Sequence, residues 1–155
     1  MYTPPPPYPE YASAPVFPPP IPTTPDERTM ATLANVLQLF GGWIGPLIIF
    51  FMRRESKFVS FHALQVLLFH LCLIAVWMVA GMAFFIGIFA SVFGAAEHNT
   101  PPWGLFVVIP LFWLVIIAGG VTMFVLAIVY GIKASNGEWA MYPVTGKWAR
   151  RILKI

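Results

Sequence analysis

Charge is scarce in this chain: Asp, Glu, Lys and Arg make up 10% of its 155 residues, while apolar types make up 59%. Soluble domains carry about 25% charged and 45–50% apolar residues, so lipid is the expected solvent for most of the chain. Cysteine is nearly absent. Cys72 stands alone inside an apolar run, and no intramolecular disulfide can form. Also lacking are a Ser-His-Asp set, a phosphate-binding glycine loop and a carboxylate pair sharing one site; Glu97 and Glu138 fall on opposite sides of the predicted membrane. The sequence shows no carrier for enzymatic chemistry, and an enzyme is not expected. No secretory-signal pattern opens the chain, because residues 1–25 hold eleven of the sixteen prolines. Nine Lys and Arg against six Asp and Glu cluster at the ends of apolar runs. They build no basic face, so nucleic acid is not an expected partner.

What is present begins with "MYTPPPPYPEYASAPVFPPPIPTTP". Proline fixes φ and lacks an amide donor, so residues 1–29 are expected to form an extended or disordered tail. Pro5-Pro6-Pro7-Tyr8 matches the Pro-Pro-x-Tyr pattern read by WW-type grooves, with a solvated tail as the simpler reading.

Three apolar runs follow. Met30–Met52 counts 23 residues, about 35 Å as a helix, against a hydrocarbon core of ~30 Å. Its centre, "GGWIGP" over 41–46, leaves a straight helix, a kinked one and a re-entrant pair all open. Gly41 and Gly45 form a small-xxx-small pair, followed by Pro46, where another helix of this chain can approach closely. Phe58–Phe93 counts 36 residues, about 54 Å if helical, too long for the core. The expected division is an interfacial stretch over 58–65 and a span over 66–91, with Gly81 and Gly87 giving flexibility or close packing. A loop over 94–102 with Pro101-Pro102 leads to the third run, Trp103–Ile132, in which Pro110 and Gly119-Gly120 permit a bend.

The fold class expected is therefore all-α: a polytopic helical membrane protein with about three transmembrane helices (30–52, 66–91, 103–132) in a domain over 30–145. A basic interfacial segment over 146–155 follows, with a short amphipathic helix from Lys147 onward. Trp139, Tyr142 and Trp148 suit the headgroup level, and Lys147, Arg150, Arg151 and Lys154 suit anionic lipid, docking of a soluble protein being the alternative. Lys plus Arg number one in 1–29, three in 53–57, none in 94–102 and five in 133–155. By the positive-inside rule the 53–57 loop and the C-terminus are cytoplasmic in a multi-pass protein of the cell membrane, with the tail and the 94–102 loop outside. A turn-back at "GGWIGP" would instead keep the tail in the cytoplasm.

Polar residues inside the apolar runs are the candidate functional groups. His62 and Gln65 are three apart and share a helix face, while His70 lies about 80° and 140° away from them. His62 and Gln65 suit headgroup depth, bonding lipid, water or a neighbouring helix. His70, with Asn35 and Gln38, should point inward as an interhelical contact, because unpaired polar groups are costly in lipid. Together with Gly41, Gly45 and Pro46 they form the candidate interaction face. His62 and His70, at i and i+8, suit neither a metal site nor haem ligation, and no cofactor is expected.

The segments "LANVLQLFGGWIGPLIIFFMRR", "SKFVSFHALQVLLFHL" and "GIKASNGEWAMYP" resemble a family of small bacterial membrane proteins of unknown function that is similar to the membrane subunit of the chloroplast inner-envelope import translocon (Tic). Phe58, His62, Ala63 and Gln65 fit its Phe-Val-x-Phe-His-Ala-x-Gln signature, and Asn136, Gly137, Glu138, Tyr142 and Pro143 its closing segment. The resemblance covers about residues 30–145 and implies a polytopic α-helical protein of a bacterial inner membrane, with protein translocation as a context. The function expected is a non-enzymatic integral membrane protein that sits in the bilayer and binds other membrane proteins or itself; the alternative is a small oligomeric transporter or channel subunit.

Overall fold

The computed structural model of this protein describes residues 22–155. The tail before them, with Pro5-Pro6-Pro7-Tyr8, lies outside the described residues. Six helices and no strands occur among those described: α1 Pro25–Val36, α2 Gln38–Gly41, α3 Ile44–Met52, α4 Lys57–His98, α5 Leu105–Ser135 and α6 Thr145–Leu153.

Helix α1 starts inside the stretch expected to be tail, and its cap explains why. Thr24 accepts from the Glu27 amide, the Glu27 carboxylate accepts from the Thr24 amide, and Pro25 opens the first turn. Such a capping box satisfies two orphan donors and contributes about 1 kcal/mol. Proline at the first helical position loses no bond, since that amide has no intrahelical partner anyway.

The first apolar run does not form one helix. Beyond the short α2, Gly42 sits at φ 57, ψ −128, a backbone state open to glycine alone, and the chain reverses there. Pro46 falls in the first turn of α3, where its missing amide costs nothing. The two limbs pack so closely that a Cβ on Gly45 would come within 2.7 Å of Leu37 Cβ, whereas Gly41 has nothing within 4 Å. Of the expected small-residue pair, only Gly45 is at a close approach. At the mouth of the reversal Arg53 pairs with Asp26 at 3.0 Å, and Ser56 Oγ donates to Glu27 Oε1 at 2.6 Å. The start of α1 and the residues that follow α3 are therefore at one level. Residues 30–52, expected as one span, are thus divided among α1, α2 and α3, and of the three paths left open at "GGWIGP" the helical pair is the one adopted, closed by a left-handed glycine and matched polar groups.

Two helices remain that are long and apolar enough to cross a membrane, α4 with 42 residues and α5 with 31. Helix α4 runs unbroken through the expected interfacial stretch and through the first five residues of the expected loop to His98, where Asn99 at φ 52 ends it. It returns antiparallel as α5. A Cβ on Gly87 would come within 2.8 Å of Val108, one on Gly104 within 2.8 Å of Ser91, and one on Gly119 within 3.0 Å of Leu73 and Trp77. Phe84 stacks on Phe112 with ring centroids 4.3 Å apart. Small residues thus let the two backbones approach, as in membrane helix pairs generally. Gly81 has open space beside it.

Burial is concentrated at one end of this hairpin. In α4 the buried residues lie between Phe58 and Leu73, and in α5 they are Ala127, Gly131 and Ala134. Helices α1, α3 and α6 cover that end, forming a cap. Beyond it the arms present Val79, Phe85, Phe93, Phe106, Leu111 and Ile117 outward.

Candidate functional site

The polar residues singled out in the apolar runs converge in the cap. Asn35, Gln38, His62 and Gln65 are all buried, together with Tyr142. Helix α1 carries Asn35, α2 carries Gln38 and α4 carries the His62/Gln65 face. The segment after α5 brings in Tyr142 because Gly137, at φ 78, turns the chain back over the first turns of α4. On the way Trp139 meets Phe58 and Phe61 edge-on and tilted, with centroids 5.2 and 5.6 Å away.

Backbone partners fix the direction of every bond. Asn35 Nδ2 donates to Ala31 O at 2.8 Å, so Asn35 Oδ1 is the acceptor for Tyr142 OH at 2.9 Å. Gln38 Nε2 donates to Asn35 O at 2.8 Å and to Tyr142 OH at 3.1 Å. Gln65 Nε2 donates to Ala140 O at 3.2 Å, and its Oε1 accepts from the Tyr142 amide at 3.1 Å. His62 Nε2 faces Glu138 O at 3.2 Å, an acceptor, and must carry the proton. His62 Nδ1 is then the acceptor for Gln65 Nε2 at 3.2 Å and, more weakly, Asn35 Nδ2 at 3.4 Å. Thr145 Oγ1 closes the set on Gln65 O at 3.0 Å, tying in α6.

Each of these side chains bonds another part of the same chain, Gln38 through its Nε2 alone, since its Oε1 is buried without a partner. Chemically it is a clamp joining α1, α2, α4, the 138–144 segment and α6, as buried polar networks in lipid are required to be. Burial pushes the Tyr142 phenol above its ordinary range, keeping it a hydrogen-bond donor. At the mouth, the hydroxyl of Ser56 and the amide of Thr24 hold the Glu27 carboxyl below its ordinary value.

The candidate interaction face divides accordingly. His62, Gln65, Asn35 and Gln38 are brought together, and Gly45 and Pro46 lie in the same end of the fold. His70 does not join them: its Nδ1 turns to Val66 O of its own helix at 3.2 Å, and its Nε2 is buried without a bond. It lies more than one turn beyond Gln65 along α4, three residues before Leu73, which approaches Gly119 of α5. Of the closing motif, Glu138 contributes its carbonyl, Tyr142 its side chain and Gly137 the turn. Asn136 caps α5, and Pro143 is exposed. Thr145 and the Ser56–Glu27 bond were not singled out from the sequence; Thr24-Pro25-Asp26-Glu27 was a legible helix-start signal. Among the described residues no three of His, Cys, Asp and Glu come together in a way that could hold a metal ion.

Comparison with known proteins yields one family, the magnetosome magnetite crystal formation protein family (MamF/MmsF), which matches residues 26–149. No curated protein and no solved structure matches. The match begins at Asp26 in the first turn of α1 and ends at Ala149, buried in α6, so it includes residues from every element that contributes to the cap. Nothing in the comparisons supports the resemblance to the chloroplast translocon. The chain belongs to the magnetosome magnetite crystal formation protein family.

Proposed function

We propose that this protein is a non-enzymatic membrane component of magnetite crystal formation that works by assembling with other membrane proteins. The observation that carries this reading is a segregation: polar side chains are sealed inside the cap, while the α4–α5 arms offer large apolar side chains outward. From Ile74 to His98, α4 rises about 37 Å, sufficient for a hydrocarbon core of ~30 Å. What lies outside the cap for another protein to meet is then the apolar surface of two membrane-crossing helices. Small residues and aromatic rings along such helices suit helix–helix contact in lipid.

The charge distribution supports an orientation. Arg28, Arg53, Arg54, Lys57 and Lys133 gather at the cap end, α6 adds three more and Lys154 follows it, and no Lys or Arg occurs between Phe58 and Ile132. The positive-inside rule puts the cap in the cytoplasm, with the tip at Thr100 on the far side. On this topology Pro22 and the 53–57 loop share the cytoplasmic side. A translocation role, implied by the Tic resemblance, would be one case of such assembly.

A photo-crosslinking residue at Phe85, which is 61% exposed on the arm, tests this in living cells. Adducts to a discrete membrane protein or to a second copy are expected. The same residue at Gln65, buried in the clamp, should yield only intramolecular products. Adducts from Phe85 to lipid alone would contradict the reading.

A further inference from the structure

The number of helices differs between the two ends of the molecule. At the charged end α1, α2 and α3 lie beside α4 and α5; at the tip end only α4 and α5 remain. Helix α5, with 31 residues, rises about 46 Å, close to the ~40–45 Å of a bilayer with its headgroup regions. Helix α3, with nine, rises about 14 Å, short of half that thickness. On the two-crossing topology a helix of that length reaches into one leaflet only.

Its outer flank is apolar along its whole length. Ile44, Ile48, Phe51 and Met52 are exposed, as are Phe40 of α2 and Trp43 at the turn. No charged residue occurs from Thr29 to Met52, and Arg53 and Arg54 follow at once. The Arg54 guanidinium lies 4.9 Å from the Phe51 ring centroid, the arrangement of a cation held at the headgroups above rings in the acyl region. This flank continues the apolar surface of the arms, and its occupant is the acyl chains of the cap-side leaflet.

We propose that the α2–α3 pair is a one-leaflet wedge that makes the protein prefer membranes convex on the cap side. An insertion that expands only one leaflet is relieved when that leaflet is the outer, longer one, as for shallowly inserted helices that respond to curvature. The inference rests on the two-crossing topology proposed above, and its test separates the two.

The full chain carrying Cys72→Ser is labelled at Glu55→Cys and reconstituted in giant vesicles of phosphatidylethanolamine and phosphatidylglycerol, from which narrow tethers are pulled. An impermeant quencher selects vesicles with the cap outside. Density on the tether is expected to be several-fold above that on the flat membrane. Ile44→Lys with Ile48→Lys, placing two charges on the flank, is expected to return the ratio to one with sidedness unchanged. Equal density on tether and flat membrane for the parent chain overturns the wedge and leaves the topology standing, as does undiminished sorting by the double variant. A fluorophore at Ile48→Cys is expected to be quenched by nitroxide lipids; no quenching overturns the wedge without any charge variant. Labelling of Thr100→Cys from the same side as Glu55→Cys would overturn the topology, and the wedge with it.

Discussion

The cap and the arms are built from the same apolar vocabulary and are held together by different means. In the arms, α4 and α5 touch through glycine and stacked phenylalanine, and most large side chains face outward. In the cap, five polar side chains from four parts of the chain are sealed against one another. Packing alone suffices where two long helices run side by side, because each satisfies its own backbone. Where the chain leaves α5 and reverses at Gly137, carbonyls and amides are freed, and side chains must find them: Gln65 bonds Ala140 O and the Tyr142 amide, and His62 bonds Glu138 O. The His-Ala-x-Gln stretch is polar because it faces unwound backbone.

This contrast can be broken most severely at Gln65. Gln65→Leu leaves Ala140 O and the Tyr142 amide buried without partners at ~1–3 kcal/mol each, whereas Phe85→Leu on the arm should change stability by less than about 1 kcal/mol. Unfolding in detergent micelles should order them so; equal effects would remove the distinction between the regions. Next comes Tyr142→Phe, which strips Asn35 Oδ1 of its donor and Gln38 Nε2 of one acceptor, for about 1–3 kcal/mol. The same unfolding experiment checks it, and the loss should largely vanish in a background that already carries Gln65→Leu, since the two share one network.

Smaller effects sharpen the account of the reversal. Gly42→Ala must force a side chain into φ 57 and should cost about 1–3 kcal/mol. Gly41→Ala, helical and with open space around it, should be neutral or stabilising by up to about 1 kcal/mol. The smallest effect is a pH dependence at Glu27. Its carboxyl is held below the ordinary value by Ser56 and Thr24, so it stabilises the mouth of the pair above the ordinary carboxylate range, and this is lost as pH falls through the folded-state value. Glu27→Gln should flatten that acid limb of the stability curve.

Much of this was legible in the sequence. Low charge and long apolar runs gave the helical membrane class, and Asn35, Gln38, His62 and Gln65 stood out because polar groups in apolar helices need partners. Their grouping was not legible. Helical angles separate His62 from His70 but say nothing of which neighbour lies across, and the choice of Asn35 and Tyr142 depends on two chain reversals 95 residues apart in sequence, at Gly42 and Gly137. The path of the chain at "GGWIGP" stayed open in the sequence for a related reason. Length and hydropathy are the same for a crossing and a re-entrant pair; what closes the pair is Asp26 with Arg53 and Glu27 with Ser56, contacts between segments that local pattern treats separately.

On the proposed topology the chain crosses the membrane twice, with residues 22–57 on one side. Single cysteines at Pro22, Glu55 and Thr100 in the Cys72→Ser chain, probed in intact cells with a membrane-impermeant maleimide, test it most directly. The account predicts that Pro22→Cys and Glu55→Cys are both protected and that Thr100→Cys is labelled. Labelling of Pro22→Cys together with Thr100→Cys, and protection of Glu55→Cys, would mean three crossings and would contradict the re-entrant pair.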